Sequence, residues 1–472
     1  MTLSRTHGPA SSGDVTGETP AGPQLAPGPS GRHAVANLRA FRRSAPTYFH
    51  ELRRSYGDTV RLPLGFFTVH LPFHPDDVSY VLQEGNANFV RGKGYDFFKI
   101  FMGIGLLTTD GDEWKARRRT VNPLFHRRAI AGMSQAMTHA TTRVLDRWAQ
   151  RCARGTTSFD VVPECMYITL DALGHAMFDR DLEPDHAEVG PAMEVAIEAM
   201  VFRGEVRQLM PNWAPIRYQR QVRRSREAMH NIVAEIVGEH RDGSQRERMD
   251  LVTLLLDAQD PDTGPGLSDS DVRDELMTIF MAGHETTGTG IAWTLAELAR
   301  HPDVQQRLSR ELEDVLSGAE PGLEDLARLD YLRQVVDETL RLHPPIWVFP
   351  RDAVTEDQVG GYRVPAGESV FLTPYVTHRH PELWSAPERF DPERFAPGRL
   401  QKLPRFAYFP FGGGQRKCLG AAMALQQTYL TVAMVIQRFH LAVNPAFEQN
   451  LATLVSLRPT SGLFLTVTER SR

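Results

Sequence analysis

Over most of the chain apolar residues recur at helical spacing, and only short runs alternate as strands do. From about Ala34, apolar and charged residues interleave, as in Ala45-Pro-Thr-Tyr-Phe-His-Glu-Leu-Arg-Arg54, which predicts a helix. Thr59 to Leu71 is rich in β-branched and aromatic residues broken by Gly and Pro, and predicts strands; Trp347 to Arg351 and Gly361 to Leu372 predict further short ones. Residues from about 130 to 260 read as helices with strongly charged faces and carry no chemical motif. Two segments are apolar on nearly every side and predict buried helices: Leu276 to Leu298, and Leu419 to Phe439. The second would run about 30 Å at 1.5 Å per residue. Ser268 with Asp271 predicts a capping box ahead of the first. Another helix, Leu332 to Leu342, should stop at His343-Pro344-Pro345. Residues 1–32 are rich in Pro, Gly, Ser and Thr with little to bury, so a flexible tail is expected, followed by one domain over 33–472. The pattern is that of a mainly α protein with a small β-rich lobe.

Composition narrows the class. The chain has 472 residues, a net charge of −5 and a pI near 6.4, and so lacks the basic character of nucleic-acid binders. Its three cysteines, Cys152, Cys165 and Cys418, are odd in number and sparse, which fits a reducing compartment without a disulfide framework. No window of about 18 residues is apolar and uncharged, and the first residues hold no signal-peptide core, so neither a membrane span nor export is expected. A cytoplasmic protein is the expectation.

The chemistry gathers at Phe411-Gly-Gly-Gly-Gln-Arg-Lys-Cys418-Leu-Gly420. Three adjacent glycines cost chain entropy, so the backbone there turns tightly or lies against something flat. Cys418 falls at or just before a helix start, where free N–H groups and the dipole favour thiolate. Alone, the stretch suits either a buried cysteine behind a phosphate-gripping loop or a thiolate metal ligand; it lacks the Gly-Lys-Ser/Thr and the preceding strand of a nucleotide site. In the first buried helix, Gly283, Gly288 and Gly290 each cost about 1 kcal/mol relative to Ala, and Glu285 would need a partner or a raised pKa. Close helix packing and threonine back-bonding would also account for that composition. Trp114 and Arg118 share a helix face within a basic cluster, and Glu338 and Arg341 lie three apart; a solvated face and a surface pair would explain them equally.

Together these stretches resemble the cytochrome P-450 family. Phe411, Gly414, Arg416, Cys418 and Gly420 match F-x-x-G-x-R-x-C-x-G, whose cysteine thiolate is the axial ligand of haem iron in that family and favours O–O cleavage. Ala282-Gly283-x-Glu285-Thr286-Thr287 resembles the distal A-G-x-D/E-T motif, in which small residues open a groove for oxygen and the acid–alcohol pair relays protons. Trp114 and Arg118 resemble a W-x-x-x-R pair that grips a haem propionate, and Arg351 and Arg416 align with further propionate arginines. Glu338 and Arg341 resemble the E-x-x-R of a buried network joined by Arg394 from Pro392-Glu-Arg-Phe395; the copy at Pro387 to Phe390 makes Arg389 the alternative.

The resemblance covers residues from about 34 onward. It implies the P-450 fold, with haem b (iron protoporphyrin IX) between a long distal helix and the cysteine loop. It implies a haem-thiolate monooxygenase that activates dioxygen and hydroxylates or epoxidises an apolar small molecule of terpenoid, fatty-acyl or polyketide-like type in specialised metabolism. A peroxide-driven peroxygenase and a haem-based sensor are the rival readings, neither of which needs Glu285 and Thr286. By the same resemblance Phe97, Phe98, Leu106, Ile279, Ile346, Val348 and Leu463 would line the substrate pocket, under a lid from Met193 to Trp213 where Arg203 and Arg207 could meet a carboxylate. Because the chain ends soon after Cys418, electrons from NAD(P)H are expected only indirectly, through a ferredoxin or flavodoxin with its reductase. Lysines number five against 48 arginines, yet Lys115, Lys402 and Lys417 fall beside the motif segments and, with Arg117, Arg119 and Arg405, are candidates for the docking face. A monomer is expected.

Overall fold

The computed structural model describes residues 24–178, 195, 217–241, 251–444 and 451–470, apart from positions 66, 261, 263, 265, 454, 455 and 460. Helices of seven or more residues are numbered in chain order. α1 (Ala34–Tyr56), α2 (Pro75–Leu82), α3 (Asp96–Met102) and α4 (Gly111–Val121) precede the helical body of α5 (Ser134–Ala153), α6 (Val162–Phe178), α7 (Arg217–Arg241) and α8 (Leu251–Asp257). α9 (Asp269–Arg300), α10 (Pro302–Leu316), α11 (Asp330–Leu342) and α12 (Ala421–Arg438) complete it.

α9 is the axis of the body, about 48 Å long at 1.5 Å per residue. The predicted capping box closes its start: the Asp271 N–H donates to Ser268 Oγ, and Asp271 Oδ2 accepts from the Ser268 N–H, both at 3.2 Å. Its C-terminal half is buried in one apolar cluster with α5, α6, α10, α11 and α12, and its N-terminal half in another with α6, α7 and α8. Two of its glycines serve this packing. A Cβ on Gly288 would meet Met166 Sδ at 2.8 Å and one on Gly283 would meet Leu173 at 3.3 Å, so α6 sits where a larger residue would push it off. Apolar positions on every face therefore have a structural cause in α9. α12 starts two residues later than its apolar run.

The β-rich lobe is a five-stranded sheet. Its strands are β1 (Thr59–Pro63), β2 (Thr68–Pro72), β3 (Phe89–Val90), β5 (Phe349–Ala353) and β8 (Ser369–Leu372), in the order β1-β2-β8-β5-β3, parallel only between β2 and β8. Alternating residues Val60, Leu62, Val69 and Leu71 pack with Phe49 and Leu52 of α1 and with Trp347. β4 (Ser158–Asp160), β12 (Phe464–Glu469) and β9 (Phe439–Val443) form a second, antiparallel sheet, and two hairpins pair β6 (Asp357–Val359) with β7 (Tyr362–Val364) and β10 (Leu451–Thr453) with β11 (Leu457–Pro459). The aromatic stretch from Tyr95 folds into α3 before the chain loops on to α4. Among the described residues no helix is long and apolar enough to cross a membrane.

Candidate active site

A cavity of about 460 Å³ separates α9 from the loop ahead of α12. The loop is held by backbone geometry that only glycine meets easily. Gly412 and Gly414 have φ of +66° and +65°, and a Cβ on Gly414 would lie on the Leu82 carbonyl at the end of α2. The Cys418 N–H donates to Phe411 O, and the Phe409 N–H donates to Nε2 of buried His378, both at 2.9 Å. Cys418, Phe411 and Gly420 line the cavity, and Gly414 shapes the turn behind them. Cys418 is exposed, but into this cavity.

Its ionisation departs from the expectation of a thiolate favoured by a helix start. α12 begins three residues beyond Cys418, and burial pushes the thiol up; the Gly420 N–H, Arg118 and Lys417 pull the other way without prevailing. A cation bound at the sulfur would reverse that balance, because a coordinated thiol loses its proton.

Four guanidinium groups face the cavity from different elements: Arg91, Arg118, Arg351 and Arg416. Arg416 pairs with Asp110 and stacks 4.0 Å over the Trp114 ring; its Nη1 and the Nε of Arg91 are buried without a partner. Arg118 Nη2 donates to Lys417 O at 3.2 Å, and Arg351 Nη1 donates to Pro350 O at 2.7 Å and to the Tyr95 hydroxyl oxygen at 3.4 Å. Burial and mutual repulsion push Arg416 down to about 9, and burial pushes Arg91 down to about 10. So strong a surplus of half-buried and buried cations, with unused donors, fits an anionic group in the cavity. Arg91 carried no motif and was not foreseen; its place between β3 and a glycine-flanked turn was the available signal.

Opposite the cysteine, Ala282, Gly283, Glu285 and Thr286 line the cavity from the middle of α9. Thr286 Oγ1 donates to Ala282 O at 2.7 Å. Glu285 is not bonded to this hydroxyl. Its Oε1 instead accepts from Ser456 Oγ at 2.5 Å and pairs with Arg458 Nε at 2.9 Å, residues from the β10–β11 hairpin. Burial raises the Glu285 carboxyl despite these partners. Ser456 and Arg458 lie far along the chain, and no local pattern announces them.

Of the proposed pocket residues, Phe98, Leu106, Ile279, Ile346 and Val348 line the cavity. Leu463 does not. It is fully buried in the core beside α5, α6 and α12, because the alternation of β12 turns Leu463, Leu465 and Val467 to that side. The Phe97 side chain, the lid from Met193 to Trp213 apart from Val195, and its Arg203 and Arg207 lie outside the described residues. Behind the cysteine loop, Glu338 and Arg341 form a fully buried pair, and Arg394 supplies the third side chain, Nε to Glu338 Oε1 at 3.3 Å. Arg389 contributes only its carbonyl, to Arg341 Nη2 at 3.1 Å. Among the docking candidates, Arg117 pairs with Asp271 and Glu275, Arg119 with Asp260 and Asp262, and Lys115 with Asp112. Lys402, Arg405 and Lys417 are exposed.

The sequence pattern of the family described as Cytochrome P450 matches residues 27–467. The chain belongs to the cytochrome P450 family. It is 31% identical over 429 residues to cyclooctatin synthase of Streptomyces melanosporofaciens, covering 89% of this chain and 90% of that protein. It is 32% identical over 403 residues to cyclooctat-9-en-7-ol 5-monooxygenase of the same organism, covering 85% and 86%. A crystal structure of the cytochrome P450DA heme domain superposes with a TM-score of 0.83 at 26% identity, covering 95% of this chain and 98% of that one. As a P450, the protein is a monooxygenase that uses haem b with electrons from a redox partner. The cavity fits that cofactor on its own terms. A cysteine sulfur opens onto one side, unpartnered arginine donors suit two carboxylates at the rim, and small residues of α9 face the sulfur across the gap.

Proposed function

We propose that this P450 hydroxylates or epoxidises a cyclic, mostly apolar small molecule of terpenoid character. The observation that carries the substrate class is the cavity wall: Phe98, Leu106, Ile279, Ile346 and Val348, apolar side chains from three separate segments. Such walls select by area and shape, with one or two polar groups setting orientation. The name of one relative gives a cyclic unsaturated alcohol, cyclooctat-9-en-7-ol, as substrate, which supports the same class.

Haem, when bound, supplies the redox chemistry of dioxygen activation. Cys418 would hold its iron, and Arg91, Arg118, Arg351 and Arg416 with Trp114 would meet its propionates. The polypeptide's remaining task is proton delivery. Thr286 Oγ1 stands at the cavity, fixed by the Ala282 carbonyl. Glu285 is a buried acid whose raised pKa suits proton exchange, and its partner Arg458 is partly exposed. We read Glu285 as collecting protons on the Arg458 side and Thr286 as presenting them to the cavity. Exposed Lys402, Arg405 and Lys417 on the cysteine side suit an acidic ferredoxin or flavodoxin.

A ligand screen on the haem-loaded protein tests the substrate class through the Soret shift that accompanies entry. Sesquiterpenes, diterpenes and long-chain lipids should bind before any charged, hydrophilic compound. Tight binding of a polar peptide or nucleotide, with none for apolar ligands, would overturn the reading.

A further inference from the structure

Two carboxylates near the start of α9 hold the loop between α3 and α4. Asp274 Oδ2 accepts the Ile104 N–H at 2.8 Å, and Glu275 Oε2 accepts the Leu106 N–H at 3.0 Å. Glu275 has no exposure, and its other oxygen pairs with Arg117 of α4 at 3.3 Å. From the opposite side Arg91 Nη1 donates to the carbonyls of Leu106, at 3.2 Å, and of Leu107. His230 of α7 hydrogen-bonds the Phe101 carbonyl at 2.9 Å, just ahead of the loop. Two glycines permit the approach. Gly103 has φ +70°, and a Cβ there would collide with the Asp274 carboxylate; a Cβ on Gly105 would lie 2.6 Å from Thr278 Oγ1.

Burying a carboxylate is costly unless it is paired and hydrogen-bonded. A loop that merely joined two helices would not call for two such groups on its backbone amides. What distinguishes this loop is that Leu106 and Leu107 line the cavity while their peptide groups are gripped on both faces. A side chain on a loop selects by shape only if its backbone is fixed, and the carboxylates of Asp274 and Glu275 behind the loop fix it.

We propose that Glu275, assisted by Asp274, is a specificity-determining positioning residue: it latches the Leu106 backbone so that Leu106 and Leu107 form a fixed wall of the substrate chamber and limit which ligands enter. This rests on reading the cavity as the haem and substrate chamber. Glu275 touches neither substrate nor haem in this role. It acts through the Leu106 amide.

The test uses the haem-loaded protein with imidazole and 4-phenylimidazole as probes, followed by stopped-flow Soret shift, together with amide hydrogen exchange at Ile104 and Leu106. In Glu275→Ala, the Leu106 amide should exchange about tenfold faster, as loss of one hydrogen bond to a charged acceptor implies. The bulky probe should both enter and leave about tenfold faster, the small one should change little, and haem content should stay at the wild-type level. Gly105→Ala pushes the loop off Thr278 of α9 with both carboxylates in place and should reproduce these rates, so the proposal stays testable if the first variant folds poorly. Glu275→Gln keeps an acceptor for the Leu106 N–H and should restore rates close to wild type. Faster amide exchange with unchanged probe kinetics would overturn the proposal, as would Glu275→Gln behaving like Glu275→Ala. Failure of the wild-type protein to respond to either probe would instead refute the chamber reading.

Discussion

Replacing Arg341 by Met should destabilise the protein more than removing the whole Glu338–Arg341 pair. All five N–H groups of Arg341 are engaged. Nε and Nη2 meet the Glu338 oxygens at 2.6 and 2.8 Å, Nη1 reaches the carbonyls of His378 and Pro387 at 3.0 and 2.7 Å, and Nη2 also reaches that of Arg389 at 3.1 Å. Arg341→Met leaves the buried Glu338 carboxylate with the Asp391 N–H at 2.7 Å and Arg394 at 3.3 Å, and strips three carbonyls of their donor. Breaking one side of a buried pair costs about 3–5 kcal/mol, whereas replacing both members by apolar groups is often close to neutral. The orphaned carbonyls and the Asp391 N–H remain in the double variant Glu338→Leu/Arg341→Met, so it should not reach wild-type stability but should recover about 2 kcal/mol of the single loss. Urea unfolding followed by tryptophan fluorescence, on wild type, both singles and the double, measures the coupling directly. Haem content should fall most in Arg341→Met, because this network stands behind the cysteine loop. If Arg341→Met lies within about 0.5 kcal/mol of wild type, or the two single losses simply add, the pair is not the coupled buried unit described.

Glu285→Gln and Thr286→Ala should retain haem and ligand binding while diverting reducing equivalents to hydrogen peroxide; full coupling at the wild-type rate in both variants would remove them from proton delivery. Burial raises the Asp337 carboxyl to about 6 although the Tyr408 O–H donates to it at 2.8 Å. Between about pH 4 and that value the folded protein holds this proton more firmly than the unfolded chain, so stability falls as pH rises through the window and stays lower above it. Asp337→Asn should therefore melt above wild type at neutral pH, with the difference closing in acid; a difference independent of pH would refute the assignment. Lys402→Glu with Lys417→Glu should slow reduction by an acidic ferredoxin and flatten its dependence on ionic strength, and no change in either would move the docking face elsewhere.

Local signals carried most of the architecture. The capping box at Ser268, the apolar runs of α9 and α12 and the stop at His343 each act within a few residues, so they could be read along the chain. The cysteine loop was legible for the same reason, since its glycines answer to backbone geometry at Gly412 and Gly414 and to the nearby Leu82 carbonyl. Pairings set by tertiary folding were not legible. Glu285 meets Ser456 across 171 positions, and Arg91 is held at the cavity by the carbonyls of Leu106 and Leu107. Leu463 was misplaced for a related reason. Alternation says which residues share a face of β12, but the neighbours of that strand decide whether the face meets the cavity or the core. Arg117 and Arg119 looked like free surface cations until the acids of α9 and of the segment before it folded against them.

The central claim is that Cys418 is the iron ligand, and the carbon monoxide difference spectrum of the reduced, haem-loaded protein tests it most directly. Wild type should show the Soret band of a thiolate-ligated haem, and Cys418→His should lose that band while still binding haem. A thiolate-type band that persists in Cys418→His, or its absence from wild type, would contradict the assignment of this cavity.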